Sequence, residues 1–563
     1  MARTVGIGIQ NFETIITKNV FYVDKTNFIK EWWESEDSVT LITRPRRFGK
    51  TLNLNMLDYF FSNRHSGRTD LFENLSIWKE EKYRQLQGTY PVISLSFANI
   101  KETTFQTTKF QICELLKMLY SDYDFLMESD KLSETEKEVF QKLKREMQDT
   151  EAIMSIHYLA KWLYKYYGKK VIILLDEYDT PMQEAYIHDY WDELVYFIRS
   201  LFNSTFKTNP YLEKGIMTGI TRVSKESIFS DLNNLQVVTT TSNKYETAFG
   251  FTEEEVFCAL DECGLGKEKM GVKRWYDGFI FGNHTDIYNP WSVLNFLDKG
   301  KYATYWANTS SNRLVGKLIR EGNKDIKETF ETLLKGNSIR CPIDEQIVYS
   351  ELDDNESAIW SLLVASGYLK VLGHERIELL SLWQEAMYEL TVTNNEVLYM
   401  FYGMVRGWFG RTKRNYNDFV KAMLRGNVKE MNAYMNRVAR EIFSYFDSGR
   451  KPSDEAPERF YHGFVLGLIV DLSIEYVVTS NRESGFGRYD VMIEPKDIRK
   501  DAFILEFKVH DPDDEKDLKE TVQSALKQIE EKQYETSLIT KGICKENIHK
   551  YGFAFEGKTI LIG

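Results

Sequence analysis

Apolar positions in the first 240 residues fall into short continuous runs separated by longer stretches of helical spacing. Val39-Thr40-Leu41-Ile42-Thr43 is a β-branched run that ends at a turn. Behind it Leu52, Leu54, Met56, Leu57 and Phe60 recur along one helix face between Thr51 and Phe61. The order is strand, loop, helix. Pro91 to Phe97 and Val171 to Leu175 predict further strands, the second so uniformly apolar that both its faces need covering, as in a parallel sheet. Helical spacing covers 104–147, 151–167 and 183–206, and another strand-like run lies at Gly215 to Ile220. Strands alternating with helices in this way predict an α/β domain.

The pattern changes at Phe251. Thr252 and Glu255 form a capping box for a helix containing Val256, Phe257, Ala259 and Leu260, and from there to about 450 the chain reads as mostly helical. Ser448 to Asp454 is a polar linker. Beyond it the pattern predicts a helix at about 456–473, strands near 475–480, 488–494 and 502–509, and a helix at about 515–533. A chain of 563 residues exceeds one ordinary core. The expected regions are 1–245, 246–345, 346–450 and 451–563.

Composition narrows the partners. With 43% apolar and 28% charged residues the chain is expected to fold throughout. Its net charge of -12 argues against indiscriminate coating of nucleic acid, which runs on Lys and Arg, yet leaves room for a local basic groove. The five scattered cysteines fit reduced thiols, and Cys258 with Cys263 lacks the second pair that zinc would need. Met1 to Thr4 leads into polar sequence without an apolar leader, and the run Phe464 to Val478 is interrupted by Asp471 and Glu475. The expectation is a cytoplasmic protein with no membrane segment.

Two constellations carry chemistry. In the first, Gly49, Lys50 and Thr51 stand at a strand-to-helix turn. There main-chain N–H groups can receive phosphate oxygens, Lys can neutralise β/γ charge, and a hydroxyl can ligate magnesium. Arg44 occupies the place of the usual first glycine, and Pro45, Arg46, Arg47 and Phe48 fill the loop. The strand ending in Asp176-Glu177 supplies the complement: Asp176 to hold magnesium, usually through water, and Glu177 to polarise an attacking water. Arg222, after the strand at Gly215 to Ile220, suits either a γ-phosphate sensor or a surface ion pair.

At these residues the chain resembles the bacterial AAA-ATPase-like proteins joined to a C-terminal PD-(D/E)XK nuclease-like domain. The resemblance runs through Tyr22-Val23-Asp24-Lys25-Thr26, Arg44 to Thr51, Leu175 to Pro181, Ser227 to Asn234, Trp275-Tyr276-Asp277-Gly278, Tyr288 to Ser292 and Tyr305 to Ser310. It implies a P-loop NTPase sheet of the ASCE/AAA-like kind followed by a helical lid and middle region, and it makes Arg44 an ordinary member of its loop. It also implies a nucleotide cofactor, ATP with Mg2+, bound by Arg46 to Thr51, Asp176 and Arg222. Tyr22 could stack on adenine or pack in the core. The family's proline before Asn is missing from Val392 to Val397.

The second constellation is Asp490, Glu506 and Lys508. Metal-assisted phosphodiester cleavage needs carboxylates that share a metal, plus a cation to orient water or steady the transition state. Strand alternation puts Glu506 and Lys508 on one face, and a hairpin would bring Asp490 opposite Glu506. By resemblance this is the PD-(D/E)XK pattern of an α/β restriction-endonuclease-like domain, with Tyr489 where a proline is usual. Glu458 then completes the metal ligands, and Gln528 with Tyr534 matches a pair on the next helix. The architecture implies a nuclease using Mg2+ or Mn2+ on nucleic acid, DNA ahead of RNA, under nucleotide control in defence or DNA processing. The alternative is a nucleotide-dependent switch or scaffold with a silent nuclease fold, and a homo-oligomer stays open.

Overall fold

The computed structural model describes residues 3–207, 209–221, 228–229, 232–306, 313–321, 324–344, 356–374, 386–408, 416–442, 465, 469, 472, 476–484, 487–512, 514–556 and 559–563. Two compact units emerge. One comprises Met1–Val315 and Ser338–Leu398, the other Gly316–Asn337 and Tyr399–Gly563.

The first unit is built on five parallel strands: β1 (Val39–Thr43), β2 (Val92–Ser96), β3 (Val171–Asp176), β4 (Leu212–Gly219) and β5 (Leu235–Val238), in the order β2-β3-β4-β1-β5. β1 and β3 are buried along their whole length, as their unbroken apolar runs require. β4 lies between them, pairing Thr43 with Gly219 on one side and Leu175 with Met217 on the other. The carboxyl ends of β1, β4 and β3 therefore stand side by side, the position where open parallel sheets bind ligands. Helix α1 (Lys50–Phe61) starts at that edge, behind Gly49 at φ 86°, a left-handed conformation that glycine adopts without strain. The single helix expected at 183–206 is two, α2 (Thr180–Ile187) and α3 (Trp191–Phe202), with Asp189 at φ 59° between them.

The middle region holds strands as well as helices. β6 (Phe279–Phe281) and β7 (His284–Tyr288) form a hairpin whose second strand also pairs with Phe251–Thr252. Helix α4 (Pro290–Lys299) follows, capped by the Asn289 side chain. A second antiparallel sheet joins β8 (Ile339–Pro342), β9 (Leu369–His374) and β10 (Met387–Val392) in the order β9-β10-β8. Among the described residues the region is mostly helical, as its spacing predicts, with these short strands set between the helices.

The second unit centres on β11 (Tyr476–Ser484), β12 (Gly487–Pro495), β13 (Ala502–Val509), β14 (Ile548–Glu556) and β15 (Thr559–Ile562), hydrogen-bonded in chain order. Neighbours are antiparallel except β13 and β14, which run parallel with helix α5 (Leu518–Glu531) crossing between them. Phe503, Leu505 and Phe507 enter one core, and Ala502 and Ile504 enter the other. The outer strand β15 is closed to further pairing. Asn432 and Asn436, on the helix Val428–Ile442, exchange hydrogen bonds with the main chain of Ile562 and Ile560.

Candidate nucleotide and metal sites

The loop between β1 and α1 is shaped by an arginine that points away from it. Arg44 is fully buried. Its guanidinium donates to the carbonyls of Thr43 (3.0 Å), Thr239 (2.6 Å) and Lys244 (3.3 Å) and lies 4.5 Å over the Phe281 ring. Burial pushes its pKa down to about 9, still protonated at neutral pH. Arg44 thus anchors the chain after β5, and its guanidinium is not one of the groups presented by the loop.

Each of those residues is gripped by the hairpin and α4. The Arg46 carbonyl accepts from Asn289 Nδ2 (3.4 Å), and Arg47, at φ 67°, lays its guanidinium 4.5 Å over the Trp291 ring. Phe48 is buried edge-on against Phe279 (4.7 Å) and Phe281 (5.4 Å), and its carbonyl accepts the Gly250 N–H. Behind this grip the buried Glu396 carboxylate accepts from Ser292 Oγ (2.7 Å) and the Trp306 N–H (2.6 Å), while Asn394 Nδ2 donates to the Asp277 carbonyl (2.7 Å). The aromatic motifs at 275–278, 288–292 and 305–306 therefore pack around residues 393–396. Glu396 carried no signal in the sequence.

Lys50 and Thr51 open α1. The Lys50 ammonium donates to the carbonyls of Arg44 (2.8 Å) and Pro45 (2.9 Å); burial lowers its pKa, against the pull of Glu177, Asp176 and Asp179. Thr51 Oγ1 donates to Asp176 Oδ2 at 2.7 Å and Thr218 Oγ1 to Asp176 Oδ1 at 2.5 Å. Burial raises the Asp176 pKa, and the two hydroxyls work against that rise. A hydroxyl and a carboxylate at one point are hard oxygen donors, the ligand type that magnesium prefers, so the residues fit the ion. Glu177 stands at φ 48° and accepts from Thr180 Oγ1 (3.2 Å).

Asp179, two residues on, is 1% exposed and accepts the N–H groups of Ile220 (2.8 Å) and Thr221 (3.0 Å) and the Thr221 hydroxyl (3.1 Å). It locks the end of β3 to the end of β4. Gly219 allows the approach, since a Cβ there would meet Tyr178 at 2.6 Å and Asp179 at 2.9 Å. Thr218 and Asp179 were not singled out in the sequence, although a third acid after Asp176-Glu177 was visible. Arg222 lies outside the described residues. In the Tyr22 segment, Asp24 accepts from Thr26 and Ser76, and Lys25 pairs with Glu255 at 2.7 Å. Tyr22 packs edge-on against Phe12, with its hydroxyl 3.6 Å from Met56 Sδ on α1.

A second polar cluster sits on the hairpin side. Glu253, Asp277 and Asp286 gather about Lys273, whose ammonium lies 2.9 Å from Asp286 and 3.9 Å from Asp277 and also pairs with Glu253. Burial above all, then the Asp286 carboxylate, pushes Asp277 up to about 7.

In the second unit, the ladder between β12 and β13 pairs Val491 with Leu505. One step further, the Asp490 carboxylate accepts the Phe507 N–H at 2.9 Å, so a side chain takes over from the main-chain ladder beyond Val491 and Leu505. Burial pushes the Asp490 pKa up to about 6, while the Phe507 N–H and the Lys508 ammonium pull it down. Glu506 is 2% exposed, beneath α5, and its Oε1 accepts from Gln528 Nε2, which also donates to Tyr534 (3.2 Å). Asp490, Glu506, Lys508, Gln528 and Tyr534 thus belong to one patch of the sheet and its covering helix. Glu458 lies outside the described residues.

The two regions match two family models. Residues 6–229 match the AAA-ATPase-like family described as "Predicted AAA-ATPase", and residues 456–563 match the PD-(D/E)XK nuclease superfamily. The chain thus combines an N-terminal region that matches the AAA-ATPase-like family with a C-terminal region that matches the PD-(D/E)XK nuclease superfamily. Its domains are those of nucleotide-binding and nuclease-type proteins. A similar curated protein, the "Uncharacterized protein in vnfD 5'region" of Azotobacter chroococcum mcd 1, is 24% identical over 377 residues, 67% of this chain. The matched part spans 65% of that relative's length. Among the described residues no helix is long and apolar enough to cross a membrane.

Proposed function

We propose that the chain binds and hydrolyses ATP at the β1–α1 loop, and that the nucleotide state controls magnesium-dependent cleavage of nucleic acid, DNA ahead of RNA, at Asp490, Glu506 and Lys508. The observation that carries the first half is the 2.7 Å bond from Thr51 to Asp176, which joins the start of α1 to the end of β3. Lys50 neutralises the β/γ charge, Arg46 and Arg47 meet the phosphates from the loop, and Glu177 orients the attacking water. At the second site Asp490 and Glu506 hold the metal, with Glu458 as a further ligand, and Lys508 steadies the pentavalent phosphate. Magnesium, when bound, supplies Lewis acidity and a more acidic water; Mn2+ can replace it. Such a device suits defence against foreign DNA or DNA processing.

The test mixes the full chain with single-stranded DNA, duplex DNA or RNA, with Mg2+ or Mn2+, in the presence and absence of ATP. Cleavage is expected to depend on ATP and to vanish in Asp490→Ala and Lys508→Ala, and calorimetry should show ATP binding lost in Lys50→Ala. Intact ATP binding with no cleavage of any polymer would instead make the chain a nucleotide-dependent switch with a silent nuclease fold.

A further inference from the structure

Arg46 is tied to the ends of β3 and β4 through one side chain. Its Nη2 donates to Gln183 Oε1 at 3.1 Å, and Gln183 Nε2 donates to Asp179 Oδ2 at 3.4 Å. The same Asp179 oxygen accepts from Ile220 and Thr221. Gln183 lies on α2, a full turn beyond Asp179, so its amide spans the gap between the phosphate loop and the sheet edge. The charged groups acting on the Lys50 ammonium are Glu177, Asp176, Asp179 and Arg46, so this chain of bonds runs beside the group that meets the outer phosphates. A cavity lined by Arg46, Gln183, Thr221, Trp306, Ser366 and Tyr368 opens next to it.

We propose that Gln183 is a positioning residue of the nucleotide site that makes it selective for a nucleoside triphosphate over the diphosphate, acting through Arg46. The inference rests on the nucleotide-binding reading above. An arginine side chain loses much rotamer freedom when it grips a phosphate, and one held in place beforehand has less to lose. Gln183 engages one N–H of the guanidinium and leaves the rest of the fork for an anion, whose charge-assisted bonds are about twice as strong as neutral ones. The selectivity follows if Arg46 meets the terminal phosphate, which the diphosphate lacks. Because Gln183 also holds Asp179, the same amide keeps Arg46 in register with the ends of both strands.

Calorimetry on the full chain with Mg2+ tests this, using ADP and a non-hydrolysable ATP analogue as probes. Gln183→Leu should weaken the triphosphate analogue by at least about tenfold and leave ADP within about threefold. Gln183→Met, close in volume and without the amide, should behave alike. An equal loss for both nucleotides in both variants makes Gln183 a structural residue and overturns the proposal, as does unchanged or tighter binding of the analogue. If the unaltered chain takes neither nucleotide, the nucleotide-site reading fails and the role of Gln183 with it. Normal ADP binding with unchanged selectivity sinks only the role of Gln183.

Discussion

The loop site and the carboxylate site both place acids on β-strands, but they are assembled over very different distances along the chain. Arg46, Arg47 and Phe48 are held by Gly250, Phe279, Phe281, Asn289 and Trp291, and those residues in turn pack around 393–396. Asp490, Glu506 and Gln528 are instead fixed by the register of two adjacent strands and one covering helix. The lesson is that the first site should be breakable by changes that touch no phosphate, whereas the second should respond to its own side chains. Substitutions chosen for that contrast can break it.

The largest effect is expected at Phe48. Phe48→Ala empties a buried position between two aromatic rings, which costs about 3–5 kcal/mol, and it should lower the first unfolding transition in a thermal melt and weaken nucleotide binding together. A melt identical to the parent would mean the hairpin does not hold the loop. Next comes Asp179→Asn. The donors of Ile220 and Thr221 all meet one carboxylate oxygen, so the amide keeps an acceptor for them but loses the charge that strengthens those bonds, and about 2 kcal/mol should be lost although no phosphate-facing side chain is replaced. Retained stability in a denaturant titration would remove Asp179 from the frame of the site.

These two residues also mark where sequence reading stops. β1 and β3 are legible because unbroken apolar runs have one physical use, and the Gly49-Lys50-Thr51 and Asp176-Glu177 pairs sit at their ends. The inward turn of Arg44 was not legible, because it depends on carbonyls of Thr239 and Lys244 and on the Phe281 ring. β8 to β10 are four to six residues long, and β8 alternates buried with more exposed positions, too little pattern to separate from the surrounding helices. In the second unit β11 to β13 and α5 follow their spacing, whereas β14 mixes His549, Lys550 and Gly552 into its run. Gly552 is required there by the close approach of α5, where a Cβ would meet the Val522 carbonyl at 2.8 Å. That is a tertiary reason with no local signature.

A smaller effect, dependent on pH, is expected from Asp277, which is buried with Lys273, Asp286, Glu253 and Tyr288 around it. Its pKa rises from an ordinary 3.8 to about 7 in the folded chain. Below the lower value both states are protonated and nothing is lost. Between the two, the unfolded chain releases the proton and the folded chain keeps it, so stability falls as pH rises and then levels off above the folded value. Asp277→Asn should match the parent in acid and exceed it by about 1–2 kcal/mol at neutral pH, since Lys273 and the neighbouring acids share the charge. Parallel stability-against-pH curves for the two proteins would sink the assignment.

The smallest change in stability is expected where the largest change in chemistry is, at Asp490. Asn at this position keeps an oxygen that can accept the Phe507 N–H, and it removes a carboxylate whose ionisation burial already opposes. Asp490→Asn should therefore unfold within about 1 kcal/mol of the parent. The cleavage of nucleic acid proposed above should nonetheless fall by at least about a hundredfold, because the charge proposed to hold the metal is gone. If the variant is instead strongly destabilised, Asp490 serves the end of the β12–β13 ladder, and the second site depends on its frame as much as the first. If it is stable and still cleaves, the metal is held elsewhere. Only a stable, inactive variant keeps the contrast, because it separates the acid that holds a metal from the acids that hold a fold.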